Sequence, residues 1–246
     1  MNMNEEIDII TDFIQKKYKE ANASSVVLGI SGGVDSAVVL MLAAKALPKH
    51  SIIPVIIPNG KMSEQDMNDA YAVIDAAGVR TQLRIVNIRE MVSAFYDAVK
   101  STYVQKQENP VIKGNLAARC RAVVLYTMAN MSNGIVLGTT NKTEMEIGYF
   151  TKFGDGACDI EPIAHLYKTD VWEIAKVLGV PQSIIDKAPS AGLWEGQTDE
   201  KEIGFSYIML DGILKGGNVE MYETLANRIK RNEHKKHMPP CVEVMR

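Results

Sequence analysis

Two hydrophobic periods alternate along the chain. Between residues 5 and 20, Ile7, Ile10, Phe13, Ile14 and Tyr18 recur near helical spacing with charges between them, which predicts an opening amphipathic helix. The pattern then changes. Ser25-Val26-Val27-Leu28-Gly29-Ile30 is a short β-branched run that stops at Ser31-Gly32-Gly33, and helical character resumes over residues 37–47 before Pro48. The succession repeats: residues 52–57 read as a strand, 63–77 as a helix stopped by Gly78, 81–86 as a third strand and 90–100 as a helix. A long helix is expected over roughly 116–131, a further buried strand at Ile135-Val136-Leu137, and a helix over 168–178. Strands that are apolar throughout and separated by helices suit a parallel sheet covered on both faces. The predicted fold class is α/β, a doubly wound parallel sheet flanked by helices. Residues 148–200 differ in texture, dense in Gly, Asp, Pro and Lys, and long irregular segments in a domain are usually functional.

Composition narrows the picture. The chain has 246 residues, 46% of them hydrophobic and 23% charged, which gives a sizeable core and excludes disorder. No linker or repeat divides it, so a single domain over residues 1–246 is expected. A formal charge of −3 argues against a protein built to coat nucleic acid. No apolar run approaches the roughly 20 residues of a membrane span, and the first residues are acidic where a signal peptide is basic. A cytoplasmic location, with no membrane and no nucleic-acid partner, is the expectation. Three cysteines, with no Cys-x-x-Cys, fit neither a disulfide framework nor a cysteine zinc site.

Candidate chemistry begins after the first strand. Ser31-Gly32-Gly33-Val34-Asp35-Ser36 stands where an open α/β sheet places its ligand, at a strand's carboxyl end and a helix N-terminus. It can be read as a tight turn with a helix cap, or as an anion nest in which glycines admit a phosphate to the backbone. Asp35 favours the second reading with a cation added, because a carboxylate beside a phosphate needs Mg²⁺ between them. Neither the Walker pattern nor Gly-x-Gly-x-x-Gly is present.

Ser-Gly-Gly-x-Asp-Ser after a first strand resembles the pyrophosphate loop of the N-type ATP pyrophosphatases, whose fold is adenine nucleotide alpha-hydrolase-like. That superfamily includes NAD, GMP, asparagine and argininosuccinate synthetases and tRNA-thiolating enzymes. Longer stretches resemble one branch, the ammonia-dependent NAD synthetases. They are Gly138-Thr139-Thr140-Asn141-Lys142-Thr143-Glu144, Gly148 through Asp159, Pro162-Ile163, Leu166-Tyr167-Lys168-Thr169, Lys187-Ala188-Pro189-Ser190-Ala191-Gly192-Leu193, Gly196-Gln197-Thr198-Asp199-Glu200 and Glu233-His234-Lys235. The likeness runs in order from Ser31 to about Lys235. Departures are small: Ala122 stands where many members have Met, and Ser190 where others have Thr.

The resemblance implies that Asp35 and Glu144 ligate Mg²⁺. It implies that Gly29, Ile30, Ser31, Gly32, Gly33, Val34, Asp35, Ser36, Thr139, Lys168 and Ser190 bind ATP, and that Arg121, Lys152, Asp159, His234 and Lys235 hold deamido-NAD. Taken singly, each has a plain alternative: Glu144 as a helix N-terminal acid, Lys152 as a surface lysine, Asp159 as a cap or turn residue, and one of Arg119 and Arg121 as solvated. The basic run 228–236 can likewise be a solvated helix face, a nucleic-acid contact, or a segment folded over a diphosphate substrate. His165 reads as structural and Asp155 as a turn residue.

The implied reaction is ATP-dependent amidation of deamido-NAD by ammonia through an adenylated intermediate, releasing AMP and pyrophosphate. No covalent catalytic residue is expected, so Cys120 and Cys158 should be dispensable. A homodimer is implied, with the 116–131 helix at its interface. Glutamine-dependent relatives carry an amidase domain before the ATP domain, and the residues before Ser25 are too few for one, so the expected nitrogen source is free ammonia, or ammonia made by a separate partner. The rival readings are a tRNA-modifying member of the superfamily and a nucleotide-binding regulatory module without turnover.

Overall fold

The first helix, α1 (Met3–Glu20), is capped by Asn2, whose side chain accepts from the Asn4 amide, and it buries Ile7, Ile10, Thr11 and Ile14 on one face. The structure is a computed structural model that describes residues 2–102, 109–190, 198–217 and 219–242. Among the described residues, four strands, β1 (Ser25–Gly29), β2 (Ile52–Ile56), β3 (Arg84–Ile85) and β4 (Gly134–Val136), form one parallel sheet in the order β3-β2-β1-β4.

Strand side chains alternate between two cores. Val26, Leu28, Ile52 and Ile56 face one layer, built from α1, α2 (Val34–Ala46), α3 (Glu64–Ala76) and, later in the chain, residues 168–178. Val27, Val55 and Val136 face the other, built from α4 (Arg89–Lys100) and α5 (Pro110–Met131). Burial of one such side chain contributes about 1.5–3 kcal/mol. Both faces are covered, as the doubly wound reading requires. After β3 the chain returns to the far side of β1, so strand addition reverses between β1 and β4. The crevice outside their carboxyl ends is where an open sheet of this kind binds ligands.

Beyond the sheet lie α6 (Lys142–Ile147), α7 (Lys168–Leu178), α8 (Gln182–Ile185), α9 (Asp199–Ile203), α10 (Tyr207–Leu214) and α11 (Val219–Asn232). Ile147, Ile203, Tyr207, Leu210, Ile213 and Leu225 make a third small core that holds α6, α9, α10 and α11 together. Among the described residues no helix is long and apolar enough to cross a membrane.

Three boundaries differ from the sequence expectation by more than two residues. The strand expected over 81–86 shrinks to Arg84–Ile85, because Arg80–Gln82 forms a 3₁₀ turn in which Arg80 pairs with Asp75 at 3.3 Å and lies over the Tyr71 ring. The long helix starts at Pro110 rather than near 116: the Asn109 side chain accepts from the Val111 amide, and proline suits a first helical turn. The helix after the glycine loop begins at Val34, three residues early, with Gly33 as its N-cap, which places Asp35 and Ser36 in its first turn.

Candidate functional site

The loop after β1 is built around a backbone that only glycine adopts easily. Gly32 has φ +78°, and a Cβ there would lie 2.5 Å from the Asp66 carbonyl oxygen, so both conformation and space require glycine. Ser31 and Ser36 close the loop from opposite ends: their hydroxyls are 3.2 Å apart, the Gly33 amide donates to Ser31 Oγ at 3.2 Å, and Ser36 Oγ donates to the Gly33 carbonyl at 3.0 Å. Gly29 ends β1, the Ile30 amide donates to the Val55 carbonyl at 2.8 Å, and Val34 is buried at the start of α2. The anion-binding features expected of residues 29–36 therefore stand on a helix start and a buried strand.

Asp35 faces a cluster of charges across the crevice. Lys168, the first residue of α7, has a side chain only 3% exposed and donates from Nζ to Asp35 Oδ2 at 2.5 Å, with Glu144 Oε1 3.6 Å away. Asn141 Nδ2 donates to Asp35 Oδ1 at 3.0 Å. Asn141 also caps α6: its Oδ1 accepts from the Glu144 amide, while Glu144 Oε2 accepts from the Asn141 amide, a capping box that fixes the glutamate's direction. Tyr207 completes the cluster. Its hydroxyl lies 3.0 Å from Asp199 Oδ2 and 3.3 Å from Glu144 Oε1, and its ring lies 4.8 Å from Lys168 Nζ. Behind it, Asp211 accepts from Thr143 Oγ1 at 2.5 Å and from the Thr169 amide at 2.8 Å, which locks α6 to α7.

The electrostatics follow from this crowding. Burial would lower the Lys168 pKa, but the Asp35 and Glu144 carboxylates outweigh it and hold the ammonium above its ordinary value. Burial and the Asp35 charge push Glu144 above the usual carboxylate range, against the pull of Lys168. Burial and the surrounding carboxylates raise the Tyr207 phenol, so it stays a hydrogen-bond donor. Asp35 and Glu144 thus share the Lys168 ammonium. Among the described residues no group of three or more His, Cys, Asp or Glu side chains is arranged to hold a metal ion alone. The facing Asp35 and Glu144 carboxylates are a donor set that suits Mg²⁺, which usually takes one or two carboxylates and completes its shell with phosphate oxygens and water.

A second group gathers where the segment after α6 meets the turn after α11. Lys235 Nζ donates to the Gly148 carbonyl at 2.7 Å and the Phe150 carbonyl at 2.9 Å, and Lys152 Nζ donates to the His234 carbonyl at 2.5 Å. Burial lowers the Lys235 pKa. Arg121 Nε donates to the Ile57 carbonyl at 3.1 Å, and burial lowers its pKa while Asp155 opposes the change. Lys152, His234 and Lys235 are therefore brought together. Asp159 is held elsewhere: its Oδ2 accepts from the Val136 amide at 2.7 Å and its Oδ1 from Tyr126 at 3.3 Å, beside β4. These two bonds tie it to β4 and α5.

Thr139 follows β4 and is half-buried, and Ser190 is exposed on the segment before α9. Ala191, Gly192, Leu193, Gly196 and Gln197 of the sequence motifs lie outside the described residues. Asp155 accepts from the Thr151 amide, as a turn residue does, and His165 is exposed and pairs with Glu6 at 2.6 Å, away from the cluster. Burial raises the Cys158 thiol, so it is a poor nucleophile. Asn141, Asp199, Tyr207 and Asp211 join the cluster beyond the residues expected from sequence. The Asn-x-x-Glu pattern at 141–144 was the available sign for the first, and the others enter through contacts distant in sequence.

Comparison with known proteins bears on these groups together. The family model for NAD synthase matches residues 6–239. Proteins named NH(3)-dependent NAD(+) synthetase from Methanosarcina mazei and Methanocaldococcus jannaschii are each 42% identical to this chain; the first match covers 96% of both chains, the second 99% of this chain and 98% of the other. Among solved structures, an NMN synthetase from Francisella tularensis superposes with a TM-score of 0.91 at 38% identity, covering 99% of this chain and all of the other. An NH3-dependent NAD synthetase from Campylobacter jejuni, solved with nitrate, gives 0.80 at 30% identity over 99% of this chain and all of the other. With the glycine loop, the carboxylate cluster and these likenesses in agreement, the chain belongs to the NAD synthase family.

Proposed function

We propose that this chain is an ammonia-dependent ligase that converts deamido-NAD to NAD, consuming ATP and releasing AMP and pyrophosphate. The observation that carries the reading is the Asp35–Lys168–Glu144 cluster at the mouth of the glycine loop, in the crevice between β1 and β4. Relatives named for this activity at 42% identity support it.

The chemistry explains the architecture. A carboxylate does not accept ammonia because oxide is a poor leaving group. One oxygen of the nicotinate carboxylate therefore attacks the α-phosphorus of ATP, the bond to the bridging α–β oxygen breaks, and pyrophosphate departs with that electron pair. Ammonia then adds to the acyl carbon, AMP leaves with its oxygen, and the surplus proton passes to solvent. The Gly33 amide and the Ser31 and Ser36 hydroxyls hold the departing pyrophosphate, and Lys168 stabilises the charge that grows on it. Thr139 and Ser190 contact ATP. Asp35 and Glu144 would hold Mg²⁺, which when bound neutralises phosphate charge that would repel the substrate carboxylate. Arg121, Lys152, His234 and Lys235 orient the dinucleotide, with Asp159 at its edge. No side chain forms a covalent bond, so rate rests on positioning and fixed charge.

Free ammonia as nitrogen source is supported by the relatives' names. Its nucleotide substrates suit a single-domain cytoplasmic enzyme. A homodimer through α5 is supported by that helix's exposed apolar residues, Val111, Ile112, Val123 and Met131, and sedimentation at twice the chain mass tests it.

A second reading is favoured by the Francisella structure, whose title names an NMN synthetase. The same steps on nicotinate mononucleotide would give the mononucleotide amide. Comparing kcat/KM for the two acids under saturating MgATP and ammonium decides: a higher value for deamido-NAD supports the proposal, and a higher value for the mononucleotide replaces it.

A further inference from the structure

The glycine loop is held from outside by a lysine that plays no part in the steps above. Lys187, on the segment between α8 and α9, donates from Nζ to the Gly32 carbonyl at 3.1 Å and to Asp69 Oδ2 at 2.8 Å, and it also pairs with Asp66. Asp69 lies on α3 and is 2% exposed. Its other oxygen accepts from Ser183 at 2.7 Å and Gln65 at 2.9 Å, so the carboxylate is fully engaged and immobile. The Asp66 backbone carbonyl is the atom that leaves Gly32 no room for a side chain. One ammonium therefore joins the start of α3, the glycine loop and the segment that carries Ser190, whose Pro189 carbonyl is anchored in turn by the Asp199 amide at 3.1 Å.

Peptide geometry gives this joint a consequence. In a planar trans peptide the carbonyl of one residue and the amide of the next point in opposite directions. Fixing the Gly32 carbonyl outward on Lys187 turns the Gly33 N–H inward, where it now meets Ser31 Oγ. Without Lys187 the Gly32–Gly33 peptide keeps only the Ser31 Oγ bond on its amide side and rotates more readily, since both residues are glycines, so the donor is less well aimed at the anion.

We propose that Lys187 and Asp69 are positioning residues for the pyrophosphate loop: Lys187 sets the Gly32–Gly33 peptide for anion binding and ties it to the Ser190 segment, and Asp69 holds Lys187 in place. The inference rests on the reading of residues 31–36 as a pyrophosphate site. It also predicts that movement of the 187–190 segment and anion affinity of the loop are linked.

The test compares wild type with Lys187→Met, Lys187→Arg, Asp69→Asn and the Asp69→Asn/Lys187→Met double variant. It measures calorimetric binding of Mg-pyrophosphate, KM for ATP and for deamido-NAD, kcat and thermal midpoint. Loss of a hydrogen bond from a charged donor corresponds to about tenfold or more in affinity. Lys187→Met is expected to weaken pyrophosphate binding and raise the KM for ATP by about that factor together, leaving the KM for deamido-NAD within about twofold. Lys187→Arg should recover most of the loss. The double variant, which leaves no unpaired buried carboxylate, should bind pyrophosphate no more weakly than Lys187→Met, because both residues act through one link. Should Lys187→Met fail to fold, the double variant carries the comparison. Unchanged pyrophosphate binding in the folded variants overturns the inference, as does an equal shift in both KM values with a lowered midpoint, which marks a merely structural residue. A wild type that binds pyrophosphate but forms no NAD refutes the functional reading instead, and the binding comparison still decides the clamp.

Discussion

Replacing Lys168 with methionine is the sharpest test of the carboxylate cluster. The substitution keeps most of the side chain's volume and removes its charge from a position only 3% exposed, 2.5 Å from Asp35 and 3.6 Å from Glu144. Stripping one partner from a buried ion pair costs about 3–5 kcal/mol. Glu144, already held above the usual carboxylate range, limits the loss by taking up a proton, so the lower end, about 3 kcal/mol, applies near neutral pH. For a chain of this size each kcal/mol moves the thermal midpoint by about 2–4 °C, so a fall of roughly 10 °C is expected without metal. Mg²⁺ should then stabilise the variant more than the wild type, because Lys168 no longer competes for the carboxylates; a ligand at about 100 times its Kd adds about 2.7 kcal/mol. The kcat should fall by about 10²–10³, the usual cost of removing one charge-stabilising donor. Thermal unfolding with and without saturating Mg²⁺, alongside continuous pyrophosphate release, reads all three. A midpoint and Mg²⁺ response equal to wild type, or an undiminished kcat, would refute the reasoning.

Two further expectations follow from other side chains. Burial pushes the Glu161 carboxyl from 4.5 up to about 7; one oxygen accepts from the Thr140 amide at 3.2 Å, the other is buried without a partner, and the group packs against Gly138. Between those pH values the folded chain keeps a proton that the unfolded chain has lost. Stability should therefore fall as pH rises through that window, by at most about 3 kcal/mol, and level off above it. Glu161→Gln cannot ionise and should flatten the curve, giving a higher midpoint than wild type at about pH 8 and little difference at about pH 4.5; parallel curves would contradict this. Lys235→Met should raise the KM for deamido-NAD by about tenfold while leaving the KM for ATP near wild type, and the reverse pattern would move Lys235 out of the dinucleotide group.

Much of this was legible in the sequence, for identifiable reasons. The glycine loop announces itself because Gly32-Gly33 interrupts an apolar run, and Asp35 stands out as a charge where a phosphate is expected. The helix over 168–178 was read to the residue because Leu166-Tyr167 and Gly179 bound its periodic stretch. The strand over 81–86 is shorter than its pattern predicts because that pattern belongs partly to a turn pinned by Arg80. The start of α5 was missed although Asn109-Pro110 is a recognisable helix signal. The supporting residues were out of reach for another reason. Tyr207 meets Glu144 across 63 positions, Lys187 meets Asp69 across 118, and no local pattern records such pairings. Asp159 shows the converse: a motif residue that accepts from a strand amide and a tyrosine.

The account stands or falls on what the chain makes. Purified protein incubated with deamido-NAD, MgATP and ammonium, with products separated and quantified over a single turnover, should yield NAD, AMP and pyrophosphate in equal amounts, the rate rising with pH as ammonium gives way to ammonia. Release of ADP and orthophosphate, or consumption of ATP with no NAD formed, would contradict it.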